Sequence, residues 1–526
     1  QLEVTLGTEA IENKYQFLNA SRRNYFSEEP KYMELDAGES NKENEGGAHE
    51  WSLFSIFGRI NYNLMGKYFL ETTVRRDGSS RFSEANRYAT FPAASFAWML
   101  SRERFMDGTN EWMDLLKLRF GWGLSGNDRI GNYNSYTTFR ADPYRSAYAL
   151  DGSNTAAISG FMPSDLGNED VTWETTETLN FGIDANLLDN KLNFSVDVWR
   201  RNTSDMLFQE PIPQVRGVAT APFVNIGKMK NTGFDVELGY NNKAFDGKFS
   251  YGARVTLSHY ANEIVKLSGD PDRTIDAGSE RQMNYTRYAN GTAFPEFFGY
   301  EVEGIFQTQA EADAHPQYTT TDYNQPGHFK FRDVNGDGTI TPEDRTFIGN
   351  PHPDFTGGLN IDLGYGNFDL NMFIYGSYGN EMVNYVTRWI DYGMFNGGLS
   401  KDALYNSWGS PYLEDNEDAE LPMLDYDAIS QQPSTAFIED ASYLRMKTLR
   451  LGYRFPESLL SRAQIKSLTV YAQVTNVFTI TKYSGLDPEY NTDIDPDADI
   501  QGDDIGLDRG AWPTPRAIRF GVQLGL

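Results

Sequence analysis

Leu116, Leu118, Phe120, Trp122 and Leu124 alternate with Lys117, Arg119, Gly121, Gly123 and Ser125. A period of two belongs to a strand and sorts its side chains onto two faces, here one apolar and one polar or small. Lys and Arg behind so uniform an apolar row need water on their own side, which points to a water-filled lumen. The chain ends on the same pattern, with Ile518, Phe520, Val522, Leu524 and Leu526 on one parity and Arg519, Gly521, Gln523 and Gly525 on the other. A strand that closes on an apolar residue in phase with its apolar face recurs in outer-membrane barrels. Phe520, Val522, Leu524 and Leu526 are accordingly read as an assembly signal.

The alternation recurs along the chain. Gln1 to about Ile11 reads as a strand followed by a polar loop to Glu50. Ile56, Ile60, Tyr62 and Leu64 then face one way, and Tyr68, Leu70, Thr72 and Val74 continue that face after the short turn Met65-Gly66. Similar rows follow through Ala94 to Leu100, Leu179 to Leu187, Leu192 to Val198, Phe234 to Tyr240 and Phe249 to Leu257. Beyond roughly ninety residues of irregular sequence, the rows resume at Leu359 to Tyr365, Phe368 to Ile374, Leu449 to Phe455 and Leu468 to Val474. Leu444 and Met446 fall on the other parity from Leu449, which predicts a bulge between them or a position above the membrane. This makes about fourteen strands, whose connections alternate short with long. The pattern predicts an all-β fold: a transmembrane antiparallel β-barrel with periplasmic turns at one end and long extracellular loops at the other. A soluble sandwich or propeller has no reason to keep that asymmetry.

Composition supports the reading by exclusion. No apolar run approaches the roughly 18 residues a membrane helix needs. Tyr (31) and Phe (34) are abundant, which favours strands. A net charge of -28 argues against a nucleic-acid partner. Cysteine is absent, which leaves no disulfide, thiol nucleophile or cysteine zinc site. The five histidines, at 49, 259, 315, 328 and 352, show no zinc-protease spacing, and no nucleophile elbow or phosphate loop is present. An enzyme is not expected. The chain begins inside a strand, with no signal peptide ahead of Gln1, so either the start is a processing product or an upstream part is missing.

Several stretches resemble the SusC/RagA family of TonB-dependent outer-membrane transporters of Bacteroidetes. They include R-R-D-G-S-S-R-F at Arg75 to Phe82, F-P-A-A-S-F-A-W at Phe91 to Trp98, and L-K-L-R-F-G-W-G-L-S-G-N at Leu116 to Asn127. N-T-G-F-D-V-E-L at Asn231, G-Y-E-V-E-G-I-F at Gly299, S-Y-L-R-M-K-T-L-R-L-G-Y at Ser442 and N-V-F-T-I-T-K-Y-S-G-L-D-P-E at Asn476 extend the likeness over nearly the whole chain. The resemblance implies a barrel of about 22 strands with a plugged lumen. Residues 1–526 would then be its C-terminal portion, with the plug domain and about eight N-terminal strands lying upstream. It further implies TonB-dependent import of a nutrient oligomer, oligosaccharide before oligopeptide, with a SusD-like surface lipoprotein and energy from TonB-ExbB-ExbD. A passive porin and a calcium-stabilised surface adhesin are the alternatives. An aromatic last residue is more usual in the family than Leu526.

Two loop features carry possible chemistry. Within the extracellular loop expected at residues 303–353, Asp333, Asn335, Asp337, Gly338, Thr339, Thr341 and Asp344 occupy positions 1, 3, 5, 6, 7, 9 and 12 of a twelve-residue calcium loop. Alternating oxygen donors with Gly at the sharp turn can wrap Ca2+, which is the favoured reading; a solvated Asn-Gly-Asp-Gly turn is the alternative. Asp at position 12 is one methylene shorter than the usual Glu. Tyr385, Trp389, Tyr392 and Trp408 could stack on sugar rings or pack the loops together, and lumen-facing Arg119 is a candidate substrate contact. The acidic runs Glu414 to Glu420 and Asp493 to Asp504 read as solvated loop tips.

Overall fold

The computed structural model describes residues 1–141, 145–149, 152, 158–209, 219–280, 283–318, 323–392, 398–425, 430–461, 465–489 and 504–525. Fourteen strands form one large sheet in strict chain order. They are β1 (Leu2–Arg23), β2 (Ser40–Leu64), β3 (Tyr68–Ser79), β4 (Tyr88–Met99), β5 (Met113–Asn127), β6 (Glu174–Leu187) and β7 (Leu192–Gln209). Then come β8 (Phe223–Ala244), β9 (Phe249–Lys266), β10 (Phe355–Tyr365), β11 (Phe368–Tyr378), β12 (Tyr443–Arg454), β13 (Ser467–Thr481) and β14 (Ala517–Gly525). Neighbours run antiparallel, as chain order joined by turns requires.

Register shows why the two parities stay apart. β2 and β3 pair Leu64 with Tyr68, Tyr62 with Leu70 and Ile60 with Thr72, so both apolar rows share a face. The three-residue connection Met65–Lys67 places Met65 and Gly66 at φ of 57° and 68° and is closed by the Lys67 N–H donating to the Leu64 carbonyl at 3.0 Å, a left-handed turn whose twist matches that of its strands. Each of the fourteen strands presents large apolar side chains to the outside, from Leu2, Val4 and Leu6 on β1 to Ile518, Phe520, Val522 and Leu524 on β14. Phe520 is 83% exposed, which in water would be an unpaid hydrophobic cost on every strand. A face this extensive far exceeds the apolar patch of a soluble monomer and fits a lipid-facing wall. Leu526 lies outside the described residues. The expected bulge occurs where Met446 and Thr448 flank a register shift on β12, which returns Leu444 and Met446 to the outward face.

The structure corrects the reading of residues 12–50. No polar loop fills that span: β1 runs to Arg23 and β2 starts at Ser40, paired from Leu2 with Tyr62 through Arg23 with Ser40. The alternation continues there with its faces exchanged. Ile11, Tyr15 and Phe17, opposite Leu53, His49 and Gly47, lie on the parity that carries Glu3 and Thr5 lower down. β3 leaves β2 at Leu53, so the ribbon beyond has no neighbour on that side to keep the apolar row in place. A search for one continuous apolar parity therefore ends the strand too early.

Contacts divide the chain into two compact units. The first comprises Gln1–Ala97, Phe120–Leu179 and Asn202–Lys228. Its core is Phe82, Phe91, Ile130, Val171 and Trp173, with Phe82 and Phe91 rings 5.0 and 5.5 Å from Trp173. The second comprises Trp98–Arg119, Asn180–Arg201 and Met229–Leu526. The stretch between β9 and β10 is not irregular: it holds a four-stranded sheet of Ile275–Glu280, Met283–Tyr288, Glu296–Gly299 and Thr346–Gly349. Tyr285, Phe297, Tyr300, Phe329, Phe331, Tyr385, Tyr392 and Phe437 pack into its core.

A charge on the outward face is therefore the most damaging change to the wall. In the full-length protein, Leu451→Arg is expected to cost up to about 2–4 kcal/mol of stability in phospholipid vesicles, and inward-facing Gln473→Arg less than about 1. Urea unfolding from vesicles checks the difference, and equal costs would refute the assignment of faces.

Candidate functional site

The inward parity is polar and paired across strands. Arg119 on β5 reaches Asp184 on β6 through Nε and Nη2, both at 2.8 Å, and Asp197 on β7 through Nη1 and Nη2, also at 2.8 Å. Ser195 donates to Asp184 at 2.9 Å, and the Lys117 ammonium lies 3.8 Å from the same carboxylate. Arg119 lies on the parity opposite exposed Phe120, with Asp184 and Asp197 both paired to its guanidinium. In the first unit Arg75 holds Glu9, Asp77 and Ser55 at 2.7, 2.7 and 2.8 Å. Arg81 donates to Asp128 and Asn132 and lies over the Trp51 ring, and Phe82 enters the core. The Arg75 to Phe82 motif is thereby a structural knot that ties the end of β3 to the loop after β5.

The four loop aromatics come together in one core. Tyr385 and Tyr392 are almost fully buried, and Trp389 and Trp408 pack against them. Tyr385 meets Tyr285 edge-on at 5.8 Å and Trp389 at 5.9 Å, and Tyr392 lies 4.9 Å from Phe437. The Trp408 indole donates to Gln307 at 2.8 Å. Arg388, one turn from Tyr385 on the helix Tyr385–Ile390, is also buried and donates to the Tyr385 hydroxyl at 3.0 Å. Sequence reading missed it, because nothing in a lone arginine announces burial.

The calcium-like loop is closed by its own side chains. Asp333 accepts N–H bonds from Gly336 and Gly338 at 2.7 and 2.8 Å, and the Gly338 bond leads in holding its carboxyl below the usual range. Asn335 accepts from the Asp337 N–H and Asp337 from the Thr339 N–H, so the three side chains stand side by side. Each oxygen keeps a second lone pair, which fits a hard cation on that side. Asp344 is fully buried and accepts from the Val334 and Thr341 N–H groups at 3.0 and 2.7 Å, closing the loop. Among the described residues no three His, Cys, Asp or Glu side chains converge on one point. Most of the acidic run at 493–504 lies outside the described residues.

A second cluster went unassigned in the sequence although its residues fall in two quoted motifs. Arg445 on β12 is buried and bridges Asp487 and Glu489, and Lys447 pairs with Glu489. Asp487 also accepts from the Thr514 N–H and hydroxyl at 2.9 and 2.8 Å, so one carboxylate fastens both limbs of the loop between β13 and β14 to β12. Burial alone would push the Asp487 carboxyl up, but the bonds from Arg445 and Thr514 bring it down to about 2.

The family model described as "TonB dependent receptor-like, beta-barrel" matches residues 3–477. TonB-dependent receptor P3 of Formosa agariphila is 34% identical over 520 residues, covering 98% of this chain and 49% of that protein. TonB-dependent receptor SusC of Bacteroides thetaiotaomicron is 32% identical over 482 residues, covering 90% and 44% respectively. The solved RagAB peptide transporter superposes with a TM-score of 0.80 at 25% identity, over 99% of this chain and 53% of that one. The chain spans about half the length of the curated relatives it matches.

The Asp487 fastening has a pH signature. Its folded pKa lies below the ordinary 3.8, so its stabilisation is complete above that value and fades as pH falls toward about 2. Asp487→Asn is expected to raise amide hydrogen exchange at 484–489 and 512–516 at neutral pH and to remove that acid dependence. Exchange measured by mass spectrometry decides it, and unchanged protection would show that the carboxylate is not the fastening.

Proposed function

This chain belongs to the TonB-dependent receptor-like β-barrel family, in its SusC/RagA branch, and from that premise we propose that it forms the C-terminal part of a barrel importing a nutrient oligomer across the bacterial outer membrane. The observation that carries the reading is the two-faced sheet, apolar outside on all fourteen strands and ion-paired inside. The plug and remaining strands belong to the part of the protein upstream of Gln1. The long connections face the cell exterior, where a SusD-like lipoprotein covers them, and TonB with ExbB and ExbD supplies the energy. The likeness to SusC and to the RagAB peptide transporter supports the lipoprotein partner that the family resemblance implies.

An oligosaccharide is the first choice of cargo, supported by exposed loop aromatics such as Tyr405, Tyr412 and Trp512, whose faces can stack on sugars, whereas Tyr385 and Tyr392 are taken up in the loop core. Similarity to a peptide transporter supports an oligopeptide as the second. Deleting the gene is expected to abolish growth on the cognate oligomer while leaving growth on its monomer intact. A panel of glycans and peptides as sole nutrient reads this out. Steady ion conductance of the full-length protein in planar bilayers would identify a porin instead, and retained cell adhesion with no uptake defect would identify an adhesin.

We also propose that Ca2+ occupies the loop at Asp333, Asn335 and Asp337 with the Thr339 carbonyl, while Asp344 closes it, in a structural role. Calorimetric titration is expected to give a Kd of roughly 10⁻⁴–10⁻³ M, as in extracellular calcium modules. Asp337→Ala should abolish the heat, and a heatless titration of the wild type would sink the assignment.

A further inference from the structure

His328, just ahead of the short strand Phe329–Phe331, is 5% exposed. Both of its ring nitrogens face acceptors. Nδ1 lies 2.8 Å from the Tyr323 carbonyl oxygen, and Nε2 lies 2.8 Å from Asp425 Oδ2. A carbonyl oxygen only accepts, and so does an ionised carboxylate. A neutral imidazole has one N–H and one lone pair, so it serves one of these partners and turns its lone pair on the other. An imidazolium donates to both. The surroundings therefore fit the charged ring, with a charge-assisted bond to Asp425.

Backbone bonds show what the ring joins. The Gly327 N–H donates to the Phe306 carbonyl at 2.7 Å, the Phe306 N–H to that of His328 at 3.0 Å, and the Met423 N–H to that of Gly327 at 2.8 Å. Gly327 sits at φ of 91°, and a Cβ there would come 2.7 Å from the Trp408 ring and 2.8 Å from the Met423 Cβ. Residues 323–328 and 421–425 thus lie against each other beside Trp408, tied by the Met423 N–H and by Asp425. The other charged and titratable groups of the packed segments are engaged or turned to solvent. Lys330 pairs with Glu311 at 2.5 Å, Arg332 pairs with Glu301 at 2.7 Å, and Glu303 is exposed. His315 holds the Pro316 carbonyl at 3.0 Å, and the Tyr323 ring stands 6.5 Å from the imidazole.

We propose that His328 and Asp425 form a pH-sensitive clasp, closed while His328 is an imidazolium and loosened when it gives up a proton, which sets how firmly residues 421–425 are held against residues 323–328. Histidine is the side chain whose charge changes near neutral pH, and a small change in its surroundings moves that change across the physiological range. Bonds that favour the protonated ring add stability that is complete on the acid side and lost as pH rises through the ring's titration. Loss of the proton leaves a buried lone pair against an acceptor, so the cost falls on both segments at once. With the long connections facing the cell exterior, as proposed above, the pH that sets the clasp is that of the medium.

Amide hydrogen exchange of the purified full-length protein, read by mass spectrometry at about pH 5.5 and about pH 8.5 and normalised to the intrinsic rate at each pH, tests this. Peptides covering 323–328 and 421–425 are expected to exchange about tenfold faster at the higher pH, the change that a shift of one pKa unit produces. Peptides from β10 and β11 should show no such dependence. His328→Gln, which cannot titrate, and Asp425→Asn, which keeps the shape without the charge, should each make the two pH values alike in both segments. Equal protection of the wild type at the two pH values overturns the proposal, and so does a dependence that persists in either variant. The measurement needs no membrane orientation, so loops found on the other side of the membrane would overturn the exterior reading and leave the clasp standing.

Discussion

The constraint behind the whole structure is that hydrocarbon offers the peptide backbone no hydrogen-bond partner. Every N–H and C=O at membrane depth must then be paired within the protein, and a continuous antiparallel ladder does this strand by strand. The ladder imposes a period of two on the side chains, so one parity must suit lipid and the other water. The same rule explains why the chain keeps strict sequence order in its large sheet. A strand moved out of order would need a crossover connection, and tight hairpin turns at one end leave no chain to make one.

Where the constraint lapses, the chemistry changes at once. Beyond Ile11 and Leu53 the ribbon of β1 and β2 turns its aromatic residues to the inner parity and its charges, Glu12, Lys14 and Glu50, to the outer. The loops between β9 and β12 no longer have lipid to bury apolar groups, so they build a core of their own from aromatic rings. Their backbone groups are satisfied by capping, as at Asp344, or by short strands of a separate sheet. The fastening at Asp487 belongs to the same logic, since a loop anchored by a buried arginine loses less conformational freedom when anything binds above it.

How much could be read from the residues follows from these two regimes. Inside the band, order is written locally. Leu116 to Ser125 declares its faces without reference to any other strand, and the bulge of β12 shows itself as a parity slip at Leu444 and Met446. Outside it, contacts are non-local. Tyr385 meets Tyr285 from one hundred positions away and Arg445 meets Asp487 from more than forty, and no periodicity records such partners. The β1–β2 ribbon sits between the regimes, legible as alternation but not as one unbroken apolar row.

The polar face of the sheet also holds its charges in pairs. Arg75, Arg119 and Arg450 are each tied to carboxylates on their own strand or one or two strands away. Partly exposed pairs of this kind contribute little to stability, about 0–1 kcal/mol each. Their larger effect is to turn strongly charged groups into a nearly neutral, hydrogen-bonding surface.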